Sequence, residues 1–150
     1  LASAGYLGYA PIAPGTFGTL AGIPIFLVFS YLPFLGNLAI LLIFLILAVL
    51  LSSKAEEAFG RKDDGRIVID EVAGFLVTMA GVRPGLAAVI LGFLLFRAFD
   101  ILKPWPVRFV DKKCPGGLGV VLDDVVAGLY SLIVLYVLLY LWPSLGTTSW

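Results

Sequence analysis

Long apolar runs without charge are the feature of this sequence that most constrains its fold. Residues 18–35 and 36–53 carry no charged side chain, and residues 125–142 form a similar run. Two further apolar runs cover residues 67–82 and 84–96, the second leading into a basic segment. About 20 apolar residues suffice to cross a bilayer as a helix, and a helix satisfies its own backbone hydrogen bonds in lipid. The pattern therefore predicts an all-α, polytopic helical membrane protein.

The composition agrees with this prediction. Hydrophobic residues make up 61% of the chain, against roughly 45–50% in soluble proteins. The 150 residues fit one domain, so residues 1–150 are expected to form a single integral-membrane unit. We predict five hydrophobic helices, at residues 17–35, 36–54, 67–82, 85–103 and 119–142. The third is short, and either a full crossing or a tilted, partly re-entrant helix fits its length.

Several kinds of chemistry and partner are excluded by what the sequence lacks. It has no histidine, so no imidazole can act as base, nucleophile or metal ligand. Its single cysteine, Cys114, cannot form an intrachain disulfide, and a thiol phosphatase loop would need arginine where Val120 stands. The net charge of zero indicates no nucleic-acid partner. The apolar run from Ile23 is too long for a signal peptide, so no cleavable leader is predicted.

The basic residues determine the predicted orientation in the membrane. All except Arg83 lie in two segments, residues 54–66 and 97–113. Basic loops remain in the cytoplasm, so both segments are expected there, with the N-terminus inside and the C-terminus outside.

Five acids lie at the cytoplasmic ends of three predicted helices. They are Asp70, Glu71, Asp100, Asp123 and Asp124. The predicted orientation depends on the basic residues only, so the convergence of the five acids at one face is an independent observation. Crowded carboxylates repel one another and are costly to ionise away from water, unless a cation joins them. Oxygen ligands without sulfur or imidazole favour Mg²⁺, Mn²⁺ or Ca²⁺.

A simpler interpretation of these acids is that they cap helix N-termini or pair with nearby basic residues. Ionisable residues inside membrane segments more often mark functional sites, and five at one face favour that reading. Gly74 and Gly128 each follow an acid by four residues, which predicts close approach of a neighbouring helix.

The stretch Ala-Pro-Ile-Ala-Pro-Gly-Thr-Phe-Gly-Thr-Leu-Ala-Gly, residues 10–22, is a candidate phosphate-binding segment. Thr16 and Thr19 stand at the start of an apolar helix, where free backbone N–H groups attract phosphate. A Pro-Gly turn with a threonine N-cap is the alternative interpretation.

A second candidate for phosphate binding is the segment from Arg97 to Arg108. Arg97, Asp100 and Lys103 are three residues apart, so they share one helix face. Arginine binds phosphate through two parallel hydrogen bonds, and lysine binds it as a point charge. The alternative is a basic membrane anchor, with Trp105 in the headgroup layer.

In combination, these motifs resemble the bacterial phosphatidylglycerophosphatase A family. The matching pieces are Pro14-Gly15-Thr16 with Gly18 and Thr19, Asp70-Glu71 with Gly74, Arg97-x-x-Asp100-x-x-Lys103-Pro-Trp-Pro, and Gly116-Gly-x-Gly119 with Asp123-Asp124 and Ala127-Gly128. They follow the family's order and span nearly the whole chain. The resemblance implies a Mg²⁺-dependent lipid phosphatase of the bacterial cytoplasmic (inner) membrane. It would convert phosphatidylglycerophosphate, an anionic phospholipid, to phosphatidylglycerol and phosphate in phospholipid biosynthesis.

Roles for individual residues follow from this resemblance as expectations. The catalytic residues and Mg²⁺ ligands would come from Asp70, Glu71, Asp100, Asp123 and Asp124. The substrate phosphate would be bound by Thr16, Thr19, Arg97, Lys103 and Arg108. Attack by water, with a carboxylate as general base, and formation of an aspartyl-phosphate are both open. The number of Mg²⁺ ions, the selectivity among lipid phosphates and the oligomeric state are also open.

Other functions compete with the phosphatase. A small ion- or proton-coupled transporter also keeps acids in its helices, but usually near mid-bilayer and often with inverted repeats. A phosphoalcohol transferase acting on CDP-lipids would need a spaced Asp-Gly, Ala-Arg, Gly, Asp, Asp pattern, which is absent. A non-catalytic scaffold would tolerate neutralisation of the acids.

Overall fold

The computed structural model describes residues 2–5, 8, 13–60, 64–105 and 116–145, and this part of the chain contains helices but no strand. The helices are α1 (Pro14–Ser30), α2 (Phe34–Phe59), α3 (Ile69–Thr78), α4 (Leu86–Leu102) and α5 (Gly116–Leu141), with a 3₁₀ turn at Pro143–Leu145. For the described residues, the all-α prediction is therefore confirmed.

Two of these helices are long and apolar enough to cross a membrane. Helices α2 and α5 each have 26 residues, which at about 1.5 Å per residue exceeds the roughly 30 Å hydrocarbon core. Only 11% of the most apolar window of α2 is buried inside the protein, so its aliphatic side chains face outward. Such an apolar outer surface is unfavourable in water and favourable in lipid, and it fits a membrane protein.

The other helices are shorter than the predicted spans. Helices α1 and α4 have 17 residues each. Helix α3 has 10 residues, which corresponds to about 15 Å, or half of the hydrocarbon thickness. Helix α3 alone is therefore too short for a full crossing, which was one of the two alternatives for residues 67–82. At its carboxyl end, α2 continues beyond the predicted residue 54 to Phe59.

Short as it is, α3 lies at the centre of the bundle. It packs against all four other helices, and each of its residues is buried except Glu71, which is half-buried. Phe75 is fully buried and belongs to a core that also contains Phe96 of α4 and Leu135 of α5. Residues 72–77 of α3 are all apolar or glycine, so most of this helix is favoured inside other structure, which agrees with its central position.

The contact between α3 and α5 is made through two glycines. A Cβ atom at Gly128 would lie 2.5 Å from the carbonyl oxygen of Gly74. A Cβ at Gly74 would lie 2.8 Å from the carbonyl oxygen of Asp124 and 2.4 Å from the ring of Phe96. Backbone therefore touches backbone at this crossing. The close helix approach predicted from these two glycines is confirmed.

Helix α1 packs on α3 in the same manner. Gly18 lies against Val68, where a Cβ would be 2.8 Å from the valine Cβ. One turn later, Gly22 lies against Phe75, with a corresponding distance of 2.7 Å to its ring. This stripe of small residues brings the beginning of α1 alongside the beginning of α3.

We predict that Gly128→Ala destabilises the fold, although alanine is intrinsically the better helix former by about 1 kcal/mol. The added methyl group meets the backbone of Gly74, which cannot rotate away, so the helices must separate. Overpacking of this kind costs about 1–3 kcal/mol. Thermal unfolding of the purified protein in detergent micelles would show a lower midpoint than for the wild type.

The matched control is Gly36→Ala in α2, where the nearest atom to the new Cβ is 3.7 Å away. That variant should be as stable as the wild type or slightly more stable. Equal midpoints for Gly128→Ala and Gly36→Ala would show that the α3–α5 contact is looser than described.

Candidate active site

Three acids meet where α3 and α5 begin to pack on each other. Asp70 and Glu71 lie in the first turn of α3, and Asp124 lies within α5. One carboxylate oxygen from each lies within 4.8 Å of the other two. Asp70 is 5% exposed and Asp124 is 4% exposed, so both are enclosed by protein. These three residues are called the acid cluster below.

The glycine contact explains why these acids meet. Gly74 lies one helical turn after Asp70, and Gly128 lies one turn after Asp124. Since the two glycines touch through the backbone, the residues one turn before them are also held close together. The acid cluster is thus positioned by the backbone contact between α3 and α5.

The other two predicted acids are held in ion pairs with α4 residues. The carboxylate Oδ2 of Asp100 lies 2.5 Å from Nη1 of Arg97, one turn earlier on the same helix. The Oδ2 of Asp123 lies 2.5 Å from Nζ of Lys103, at the carboxyl end of α4. The five acids thus divide into a cluster of three and two that neutralise predicted phosphate-binding cations.

The first turn of α1 lies directly on the acid cluster. A Cβ at Gly15 would be 2.3 Å from Oε1 of Glu71 and 3.1 Å from Nη1 of Arg97. The missing side chain of Gly15 leaves room for the Glu71 carboxylate. The positive end of the α1 dipole is therefore next to three carboxylates, which it stabilises.

One polar atom each of Glu71 and Arg97 has no hydrogen-bond partner among the described residues. They are Oε2 of Glu71 and Nε of Arg97, and both are buried. Buried polar atoms are normally hydrogen-bonded, and an exception often marks the place of an ion or ligand. The unpartnered oxygen of Glu71 suits a bound cation, and the unpartnered N–H of Arg97 suits a bound anion.

The remaining predicted phosphate-binding residues are placed differently. Thr19 is fully buried, and its hydroxyl donates to the carbonyl oxygen of Gly15 at 2.9 Å. Thr16 is half-buried at the start of α1, and its backbone N–H donates to the carbonyl oxygen of Ala13 at 2.9 Å. Arg108 lies outside the described residues. A role in phosphate binding stays a prediction for all three.

The Glu71 carboxylate is unfavourably placed as an anion. Its Oε2 is buried without a hydrogen-bond partner among the described residues, and carboxylate oxygens of Asp70 and Asp124 lie within 4.8 Å of its own carboxylate. The guanidinium of Arg97 lies nearby, but it is paired with Asp100. A cation bound in the acid cluster would favour the ionised form.

Comparison with known protein families identifies relatives of the chain. The sequence model of a family described as phosphatidylglycerophosphatase A matches residues 1–139. A phosphatidylglycerophosphatase A of Haemophilus influenzae is 40% identical over 92 residues, covering 60% of this chain and 56% of the relative. One of Escherichia coli K12 is 38% identical over 102 residues, covering 67% of this chain and 59% of the relative.

A third relative carries a different name. A protein of Bacteroides thetaiotaomicron named "Putative phosphatidylinositol-3-phosphatase" is 40% identical over 89 residues, covering 57% of this chain and 55% of the relative. The chain thus spans little more than half of the length of the curated relatives it matches. No solved structure matches it.

The crowding of the three carboxylates predicts a pH-dependent cost in stability. Repulsion among carboxylates grows as they ionise, so this cost to the folded protein increases as the pH rises above about 4. Glutamine never ionises, so in EDTA we expect Glu71→Gln to melt a few degrees higher than the wild type at neutral pH. Near pH 4 the two proteins should melt together.

The control for this prediction is Glu57→Gln, which removes an exposed carboxylate from α2 and should leave the melting temperature unchanged. A wild type that is more stable than Glu71→Gln at neutral pH in EDTA would contradict the prediction. That result would mean that the ionised carboxylate is well compensated without metal.

Proposed function

The chain belongs to the phosphatidylglycerophosphatase A family, and from this premise we propose that it is a lipid phosphatase. Its substrate is phosphatidylglycerophosphate, and its products are phosphatidylglycerol and inorganic phosphate. The observation that carries the proposal is the junction of the acid cluster with Arg97 and the first turn of α1. At this junction, carboxylates that can bind a metal ion lie close to hydrogen-bond donors that can bind a phosphate.

The acid cluster is the proposed site of Mg²⁺, with Asp70, Glu71 and Asp124 as its protein ligands. Hard oxygen donors without sulfur or imidazole suit this ion. The buried Oε2 of Glu71, which lacks a hydrogen-bond partner among the described residues, supports the proposal. When bound, Mg²⁺ would neutralise phosphate charge and lower the pKa of a bound water.

The sequence indicated five acids as catalytic residues or metal ligands. Of these, Asp100 and Asp123 are proposed to act mainly by positioning cationic side chains. Asp100 holds Arg97, and Asp123 holds Lys103, through the ion pairs described above. An oriented guanidinium is suited to binding two phosphate oxygens, and an ammonium adds a point charge. Thr16 and the N-terminal N–H groups of α1 would supply further hydrogen bonds.

The chemical step breaks the bond between phosphorus and the terminal glycerol oxygen of the substrate. In one route, a carboxylate of the cluster takes a proton from the attacking water. In the other route, a carboxylate attacks phosphorus itself and water later hydrolyses the aspartyl-phosphate. Both routes end with a proton on the departing glycerol oxygen, and both require an ionised carboxylate next to the phosphate.

The proposed location is the bacterial cytoplasmic membrane, crossed several times, with the acid cluster at the cytoplasmic face. The outward-facing apolar surface of α2 and the length of α5 support the crossings. The basic residues Lys54, Arg66, Arg97 and Lys103 flank the ends of helices near the acids, as the positive-inside rule requires. The alternative of a transporter gains no support, because the described acids gather at one end of the bundle.

We predict that Asp70→Asn and Asp124→Asn each lower phosphate release by about 100-fold or more, because a metal ligand or catalytic base is lost. The assay measures inorganic phosphate released from phosphatidylglycerophosphate in detergent micelles with saturating Mg²⁺. The matched control, Glu57→Gln, removes an exposed acid of α2 and should retain full activity. Wild-type turnover in both aspartate variants would refute the role of the cluster.

Metal removal is the second test of the proposal. Phosphate release should stop in EDTA and return when Mg²⁺ is added in excess, because the carboxylates alone repel the substrate phosphate. Calcium, which tolerates more ligands and a looser geometry, should restore less activity. Equal release with EDTA and with Mg²⁺ would exclude a metal-dependent mechanism.

A further inference from the structure

The end of the bundle opposite the acid cluster contains three adjoining cavities. They surround the connection between α3 and α4 and have volumes of about 360, 400 and 240 Å³. Gly81 lines all three, and Arg83 lines the two larger ones. None of the residues proposed for the phosphatase reaction lines any of them.

Among the residues that the structure describes, Arg83 is the only charged one at this end. Residues 14–53 and 125–150 carry no charge, and within 72–96 Arg83 stands alone. Its side chain is exposed, and it forms no hydrogen bond or ion pair with another described residue. It is also the one basic residue that the positive-inside rule leaves outside. An isolated cation at the mouth of a cavity is suited to an anionic partner.

The walls of the two smaller cavities are mostly apolar, whereas the largest cavity is also lined by the polar residues Ser30 and Asn37. Phe34 and Leu38 of α2 line one of them, and Leu139 of α5 lines another. The nearest polar groups are already engaged within the protein. The hydroxyl of Tyr136 donates to the carbonyl oxygen of Ala80 at 3.2 Å, for example. The free charge of Arg83 is therefore the main polar feature of a groove that otherwise suits hydrocarbon.

We propose that this groove binds an anionic phospholipid of the leaflet opposite the acid cluster. The lipid phosphate lies on the Arg83 guanidinium, and an acyl chain lies along the apolar wall between α2 and α5. Exposed Tyr140 and Trp142 are at the same end, where aromatic residues meet lipid headgroups. The inference rests on the proposed membrane topology but not on the phosphatase chemistry.

The test is a titration of the full chain with lipid, in detergent and EDTA. The melting temperature of the protein is measured at each lipid concentration. Phosphatidylserine is the probe, because it is neither substrate nor product of the proposed reaction. We expect it to stabilise the wild type, and Arg83→Gln to need about tenfold more lipid for the same shift. Arg83→Lys, which keeps the charge, should retain most of the shift.

Two controls decide whether the effect is local and due to lipid. Lys54→Gln removes one exposed positive charge from the opposite end and should titrate like the wild type. Inorganic phosphate alone should produce no comparable shift. The proposal is overturned if the wild type is not stabilised, if Arg83→Gln titrates like the wild type, if Lys54→Gln is equally impaired, or if inorganic phosphate matches the lipid.

A phosphate-release assay of the same variant shows whether the lipid site is independent of the proposed phosphatase activity. Arg83→Gln should hydrolyse phosphatidylglycerophosphate at the wild-type rate, because Arg83 is remote from the acid cluster. Loss of lipid-dependent stabilisation with unchanged phosphate release supports a distinct lipid site. Loss of phosphate release in Arg83→Gln would show that the groove is not independent of the active site, and would overturn the proposal.

Discussion

The structure depends on the backbone contact between α3 and α5 at Gly74 and Gly128. A side chain at either position would separate the helices, and the acids one turn away would separate with them. The same two positions therefore determine how the core packs and where the carboxylates of Asp70 and Asp124 lie. Small residues at a helix crossing are a common way to bring helices together in lipid, where no hydrophobic force drives them.

The cost of this arrangement is three carboxylates with little contact with water. The bundle reduces that cost by placing the first turn of α1 and Arg97 against Glu71. It also provides the other two acids with their own cations. Repulsion among the three acids is only partly relieved by these contacts, so a cation bound there would stabilise the cluster further.

The two ends of the bundle differ in charge. One end carries all of the described acids and most of the described basic residues, whereas the other carries only Arg83. This difference suits a protein whose reaction takes place at one membrane surface. In such a protein the far end needs only to match the hydrocarbon and the headgroups of the opposite leaflet. A short α3 fits the same arrangement, because it supports the site from within the bundle.

The sequence by itself determined the helical class, the absence of imidazole chemistry and the gathering of the acids at one end. The first two follow from the apolar runs and the composition, and the third follows from the positions of the basic residues along the chain. Tertiary structure alone decided that Asp70, Glu71 and Asp124 form a cluster while Asp100 and Asp123 pair with cations. Periodicity assigns a residue to a helix face but does not identify what that face meets. For the same reason, only the packed bundle shows that Thr19 turns inward and that Gly15 leaves room for Glu71.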